Sequence, residues 1–154
     1  MNLTPFYQMA TRVIRKCQSW IGMSTLGARA IVINQNKQVL LVKHTYQPHW
    51  YIPGGGVKKG ESTKTAILRE LKEEVGLTTL EEPMLFGIYH HLYLKVNDYP
   101  VVYIVKKFSL TEISSPEIED TGWFDYAALP EMTSPGTRRR LAEYFTNQPP
   151  SEAW

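Results

Sequence analysis

From residue 69 to residue 77 the chain reads RELKEEVGL. At ~100° per residue on a helix, Glu70, Glu73 and Glu74 fall within an arc of roughly 100°. Like charges at i,i+3 and i,i+4 cost about 0.2–0.5 kcal/mol per pair. Gly76 suits the residue just past a helix C-terminus, so the three carboxylates occupy the last turns, where the macrodipole is already negative. Two readings answer this conflict. One is a solvated charged face with Arg69 and Lys72 as partners. The other is a hard divalent cation, which prefers carboxylate oxygens. Ile67, Leu68, Leu71 and Val75 lie on the adjoining arc, so the helix must pack one side into a core while the acidic side borders a cleft.

The rest of the chain supplies strands. GARAIVIN (27–34) and QVLLVKH (38–44) are β-rich runs joined by a polar turn, and WYIP (50–53) is a short strand stopped by Pro53. GGGVKKGE (54–61) is expected as a loop leading into a helix from about 62 to 75. PMLFGIYHHLYLKV (83–96) and YPVVYIVKKFSL (99–110) are expected as two strands across a tight Asn97–Asp98 turn, followed by a strand at 122–126. A last helix is expected over 137–145, with Thr137 as N-cap. Strands alternating with helices imply an α/β layered domain.

Composition narrows the function classes. The 154 residues suit one domain, and a net charge of +2 with 21% charged residues gives no specific nucleic-acid surface. Cys17 is the only cysteine, so no intrachain disulfide or cysteine zinc site can form, and a reducing cytoplasm is the expected location. No apolar run is long enough to span a membrane. Residues 1–22 carry a stripe of Leu3, Phe6, Tyr7, Ala10, Val13, Ile14, Cys17, Trp20 and Ile21. It is expected as an amphipathic helix packed on its own domain or joining a homodimer, with a membrane-surface helix as the alternative. The tail, 147–154, is expected to be flexible.

One spacing is more specific than any of these features. Gly55, five residues, Glu61, seven residues, then Arg69-Glu70-Leu71-Lys72-Glu73-Glu74-Val75-Gly76-Leu77 resembles the complete Nudix box of the MutT-type hydrolases, and the general strand order carries the resemblance over roughly 27–146. The resemblance implies a Nudix fold, an α/β/α sandwich around a mixed β-sheet over 23–146, here with an added N-terminal helix. It implies Mg²⁺- or Mn²⁺-dependent hydrolysis of the diphosphate bond of a nucleoside diphosphate linked to another group. Glu70, Glu73 and Glu74, with a carbonyl of the glycine run such as Gly54, would hold the metal. Glu70 and Glu73 would serve the activated water, Arg69 would orient the glutamates, and Glu61 would support them. A clustered metal neutralises the diphosphate and lowers the pKa of bound water, and a carboxylate within reach takes the proton.

Around the box, Gly55 and Gly56 are candidates for close backbone contact with substrate. Trp50 is a candidate stacking residue or a core residue. Tyr93, sixteen residues after Leu77, resembles a position used by family members acting on dinucleoside polyphosphates. Glu117, Glu119 and Asp120 are candidate auxiliary acids or an ordinary acidic turn. At most one of His90 and His91 can face the cleft, because they alternate on a strand. Arg138, Arg139 and Arg140, at a helix start, suit either a phosphate contact or a solvated basic face. Nucleoside triphosphates, nucleotide sugars and dinucleoside polyphosphates all remain open as substrates. The alternative from another class is a catalytically inactive Nudix domain acting as a nucleotide-binding sensor or scaffold. A membrane-peripheral role through residues 3–21 is a third reading.

Overall fold

The computed structural model describes Ile14 and residues 24–154; the expected helix over 1–22 lies otherwise outside the described residues. Among residues 24–154, ten strands and two longer helices follow one another. They are β1 (Thr25–Val32), β2 (Val39–His44), β3 (Trp50–Tyr51), β4 (Gly54–Gly56), α1 (Thr63–Val75), β5 (Leu77–Thr79), β6 (Met84–Ile88), β7 (His91–Tyr93), β8 (Val96–Val105), β9 (Phe108–Leu110), β10 (Ile118–Phe124) and α2 (Pro135–Phe145).

The central sheet runs β4-β1-β8-β6, with β7 also on β8. β1 and β8 are parallel, and the other pairings are antiparallel, which makes the sheet mixed. Alternation of side chains along β1 and β8 divides the interior in two. Ala28, Ala30, Val32, Val101, Tyr103 and Val105 pack against Ala66, Ile67 and Leu71 of α1. Ile31, Ile33, Val102 and Ile104 pack against Val39 and Leu41 of β2, Ile52, and Leu141 of α2. A second sheet, β10-β2-β3, and the β5–β9 pair complete the layers.

Helix α1 begins and ends where the sequence asks. Ser62 is the N-cap and accepts from the Thr65 N–H, while Gly76 closes the helix in the left-handed region at φ 65°. A Cβ on Gly76 would meet the Thr111 carbonyl oxygen at 2.0 Å, so glycine is required there on two counts.

Several expectations are corrected. The glycine run is not a loop but the edge strand β4, paired with Gly27–Arg29 of β1. The hairpin turn is not Asn97–Asp98 but Leu94–Lys95, at φ 50° and 65°, the primed-turn conformation that matches strand twist. Register decides it: Asp98 pairs with both Thr25 and His91, so sliding the turn would move β8 off β1. Helix α2 starts earlier than expected, because Ser134 rather than Thr137 is the N-cap and Thr137 is buried.

The tail is docked, not loose. The His90 N–H donates to the Glu152 carbonyl at 2.7 Å, and the Trp154 N–H donates to the His90 carbonyl at 3.0 Å. Of the three arginines of α2, Arg138 and Arg139 are exposed, as a solvated face requires, and Arg140 is the exception. Arg138 donates to carbonyls of 130, 131 and 133, and Arg139 to that of Trp154. Arg140 is fully buried. It donates to both Glu143 oxygens at 2.9 and 2.7 Å and lies 4.0 Å from the Tyr89 ring centre. Removing one partner of a buried ion pair costs about 3–5 kcal/mol, more than the pair contributes over apolar replacements. Glu143→Leu should therefore destabilise the protein by about that amount in urea unfolding, and adding Arg140→Met should recover much of the loss. A single-variant loss below about 1 kcal/mol would contradict this account.

Candidate active site

The site is built where α1 crosses β4. Arg69 is its hub. Its Nε and Nη2 donate to the two oxygens of Glu61 at 2.8 and 2.9 Å. Nη1 reaches Glu70 at 2.6 Å and Glu73 at 3.2 Å, and Nη2 also reaches the Gly56 carbonyl at 3.1 Å. The planar guanidinium suits such forked contacts. These hydrogen bonds raise the already high pKa of Arg69. Glu61 is held down at about 2, first by Arg69 and then by the Lys58 N–H.

The glycines fit the carboxylates. Gly54 has φ 135°, and a Cβ there would meet the Ala28 carbonyl oxygen at 2.2 Å. On Gly55 a Cβ would stand 2.6 Å from a Glu70 oxygen, so the Glu70 carboxylate rests on a bare α-carbon. The Gly54 N–H donates to Glu74 at 2.8 Å, and the Gly54 carbonyl accepts from Arg29 at 3.1 Å.

Glu74 differs from its neighbours in being buried. Burial pushes its carboxyl up to about 7, against the Gly54 N–H and Arg29, which lower it; Glu70 and Glu117 add to the rise. His44 Nε2 lies 3.7 Å from Glu74, too far for a hydrogen bond. This is not an ion pair either, since burial, then Arg29, draw His44 down to about 4. His44 Nδ1 is buried without a partner.

The donor set fits a hard divalent cation. Two carboxylates, Glu70 and Glu74, border the same glycine strand, and burial of the second outweighs the Gly54 N–H and Arg29 that favour its charged form. Oxygen ligands of this kind suit Mg²⁺ or Mn²⁺. Among the described residues no three acidic, His or Cys side chains already converge as a cage. Glu73, 55% exposed, turns outward to Arg69.

Beside the carboxylates opens a cavity of about 710 Å³ lined by Gly54–Gly56, Arg29, His44, Tyr46, Lys58, Lys59 and Asp98, among others. The structure thus brings Gly54, Gly55, Gly56, Glu61, Arg69, Glu70 and Glu74 together. Trp50 belongs elsewhere: its ring meets Phe124 edge-on at 5.1 Å, against the second core. Tyr93 lies on β7 beside His91; burial raises the Tyr51 hydroxyl, Arg29 opposes the rise, and Tyr93 adds a smaller one. Of the candidate acids, Glu117 acts on Glu74 electrostatically, Glu119 pairs with Lys43 at 3.0 Å, and Asp120 accepts from the Thr121 N–H. His90 bonds Asn97. Arg29 and His44 were not singled out from the sequence. The available signal was Arg29 as the lone charge inside the alternating β1 run.

A model of the NUDIX domain matches residues 23–145. The chain belongs to the NUDIX family. Over 117 residues this NUDIX chain is 30% identical to an RNA pyrophosphohydrolase of Hydrogenovibrio crunogenus, covering 62% of this chain and 70% of that protein. It is 50% identical over 54 residues to a Bacillus subtilis protein whose name proposes an 8-oxo-dGTP diphosphatase. That match spans 35% of this chain and only 36% of the relative, about a third of its length. The MutT NUDIX hydrolase structure from Burkholderia pseudomallei superposes with a TM-score of 0.69 at 27% identity, over 77% of this chain and 96% of that one.

The Arg69 hub predicts a titration. The folded pKa of Glu61 is depressed, so its contribution to stability is complete above the ordinary 4.5 and disappears as pH falls towards about 2. In Arg69→Lys the fork is lost, and the Glu61 carboxyl midpoint, followed by carbon-13 NMR, should climb towards 4.5. A midpoint that stays near 2 would show that Arg69 is not what holds it.

Proposed function

We propose that the protein is a divalent-metal-dependent NUDIX hydrolase that cleaves the diphosphate bond of a nucleoside diphosphate linked to another group. The observation that carries the reading is the intact carboxylate set, Glu61, Glu70, Glu73 and Glu74, gathered on one guanidinium and one glycine strand whose three glycines, with Glu61, line a cleft. A sensor or scaffold has no need of four such carboxylates, and their mutual repulsion argues against retaining them idly.

Glu70 and Glu74 would be the principal ligands, with Glu73 and the Gly54 carbonyl as further oxygen donors. A divalent metal held there would neutralise charge on the diphosphate and make water more acidic. The chain's residues do the rest. Arg69 fixes one oxygen of Glu70 and leaves the other to accept a proton. Water adds its oxygen to phosphorus, the bond from phosphorus to the leaving phosphate oxygen breaks, and the water proton goes to a carboxylate, with Glu70 the best-positioned base. Arg29, Lys58 and Lys59 on the cleft wall would hold phosphate oxygens, and the glycine strand would admit the substrate close to the backbone. Glu117, through its reach to Glu74, is the strongest of the candidate auxiliary acids.

The test is a panel of nucleoside triphosphates including 8-oxo-dGTP, nucleotide sugars, dinucleoside polyphosphates and an RNA bearing a terminal pyrophosphate. Turnover should be abolished by EDTA, restored by Mg²⁺ or Mn²⁺, and reduced about 10²-fold or more by Glu70→Gln, as expected for a lost acid–base group. Undiminished turnover in metal-free protein would overturn the reading. So would absence of turnover on every member of the panel combined with tight nucleotide binding, which would favour the sensor.

A further inference from the structure

One charge breaks the apolar run of β1. Ala28 and Ala30 belong to the core under α1 and Ile31 to the other, so by alternation Arg29 lies on the Ile31 side of the sheet. It is half-buried and lines the cleft. Its Nη1 donates to the Gly54 carbonyl at 3.1 Å and to the Ile52 carbonyl at 3.4 Å. Among the described residues its Nε and Nη2 make no hydrogen bond, and no carboxylate stands within ion-pair distance of it. The buried side-chain atom without a partner among those residues is His44 Nδ1, so the remaining nitrogens of Arg29 reach the open cleft. A guanidinium that turns two donors into a cavity suits a phosphate.

Arg29 also bears on the cation. It holds the Gly54 carbonyl, and its charge acts on Glu74, after burial and the Gly54 N–H. Both oxygens are among those assigned above to the metal. A guanidinium and a divalent cation drawn to the same carbonyl repel each other. A phosphate that takes Nε and Nη2 cancels part of that repulsion, and coupling between two ligands is reciprocal. We propose that Arg29 couples the cation to the substrate. Its charge opposes the cation while uncompensated, and a substrate phosphate bound at Nε and Nη2 lifts the opposition. Cation and diphosphate then bind together more tightly than either binds alone. The inference rests on the metal-dependent reading of the site and adds the residue that links its two halves. Lys59 lines the same cleft but is exposed, where salt and water screen its effect on the cation.

Effects of opposite sign make the test. Mn²⁺ binding to the full chain is followed by electron paramagnetic resonance with no nucleotide present, at a pH above the raised pKa of Glu74. Binding of methylenediphosphonate, a non-hydrolysable form of the diphosphate common to the substrate panel, is then measured in saturating Mn²⁺. Arg29→Met should bind Mn²⁺ alone more tightly than the parent and the diphosphonate more weakly, each by about fivefold or more, as ordinary coupling gives. Arg29→Lys keeps the charge and loses the fork, so it should bind Mn²⁺ like the parent and the diphosphonate more weakly. Lys59→Met should weaken the diphosphonate without tightening Mn²⁺. The parent gives a second measurement that needs no substitution: the Arg29 Nε–H, followed by nitrogen-15 NMR, should exchange with water more slowly once Mg²⁺ and the diphosphonate are added. The proposal is overturned if Arg29→Met weakens both ligands together, as a merely structural residue would, or if Nε–H exchange in the parent is unchanged. A parent that binds Mn²⁺ beside an Arg29→Met that binds it no more tightly defeats the coupling alone. A parent that binds no Mn²⁺ defeats the metal-dependent reading and the coupling with it.

Discussion

The arrangement around the site depends on one guanidinium. Arg69 uses Nε, Nη1 and Nη2 to gather Glu61, Glu70, Glu73 and the Gly56 carbonyl. An isolated surface ion pair contributes little, about 0–1 kcal/mol. Here the geometry is forked, Arg69 and Glu61 are both mostly covered, and the contacts form a network joining helix α1 to the loop before it and to β4. The guanidinium offsets the repulsion among carboxylates at the negative end of the helix and fixes the direction of Glu70. It cannot serve Glu74, which lies beyond its hydrogen bonds.

That division gives the carboxylates different characters. Glu61 is strongly acidic because its partners are permanent. Glu74 is buried against β4, where one backbone N–H and the charge of Arg29 offset its burial only in part and the nearby imidazole is neutral, so its charge is costly until a cation arrives. A buried carboxylate kept under-compensated beside an open cleft is poor structural economy and good preparation for a metal. Gly54 and Gly55 allow this closeness, the first through its backbone angle and the second through the absence of a Cβ.

Much of this was legible in the sequence, for physical reasons. Helix α1 declared itself by an N-cap serine, an apolar arc and a closing glycine, all local signals. The box spacing was legible because i, i+1, i+4 and i+5 put the arginine and the three glutamates on one side of a helix. The hairpin was misread because Leu94 and Lys95 carry no turn preference, and the register of β8 between β1 and β7 overrides the preference of Asn97 and Asp98. The glycine run was taken for a loop because its strand character comes wholly from pairing with β1. Arg140 was misread because its partners Tyr89, Ser151 and Trp154 are distant in sequence, although Glu143 three residues on was a visible hint. His44 gave no signal, since its role comes from burial.

The central claim is that Glu74 is held buried for a cation. Thermal unfolding of the parent and of Glu74→Gln, each in EDTA and in saturating Mg²⁺, tests it most directly. Glutamine keeps an oxygen for the Gly54 N–H and removes the buried charge, so the metal-free variant should be at least as stable as the parent. Mg²⁺ should then reverse the order, because a ligand that binds only the folded state stabilises it by about 2.7 kcal/mol at a hundredfold excess over Kd, and the variant would bind it less well. If Glu74→Gln instead destabilises the metal-free protein and Mg²⁺ shifts both proteins equally, Glu74 is a structural partner of β4 and the account is wrong.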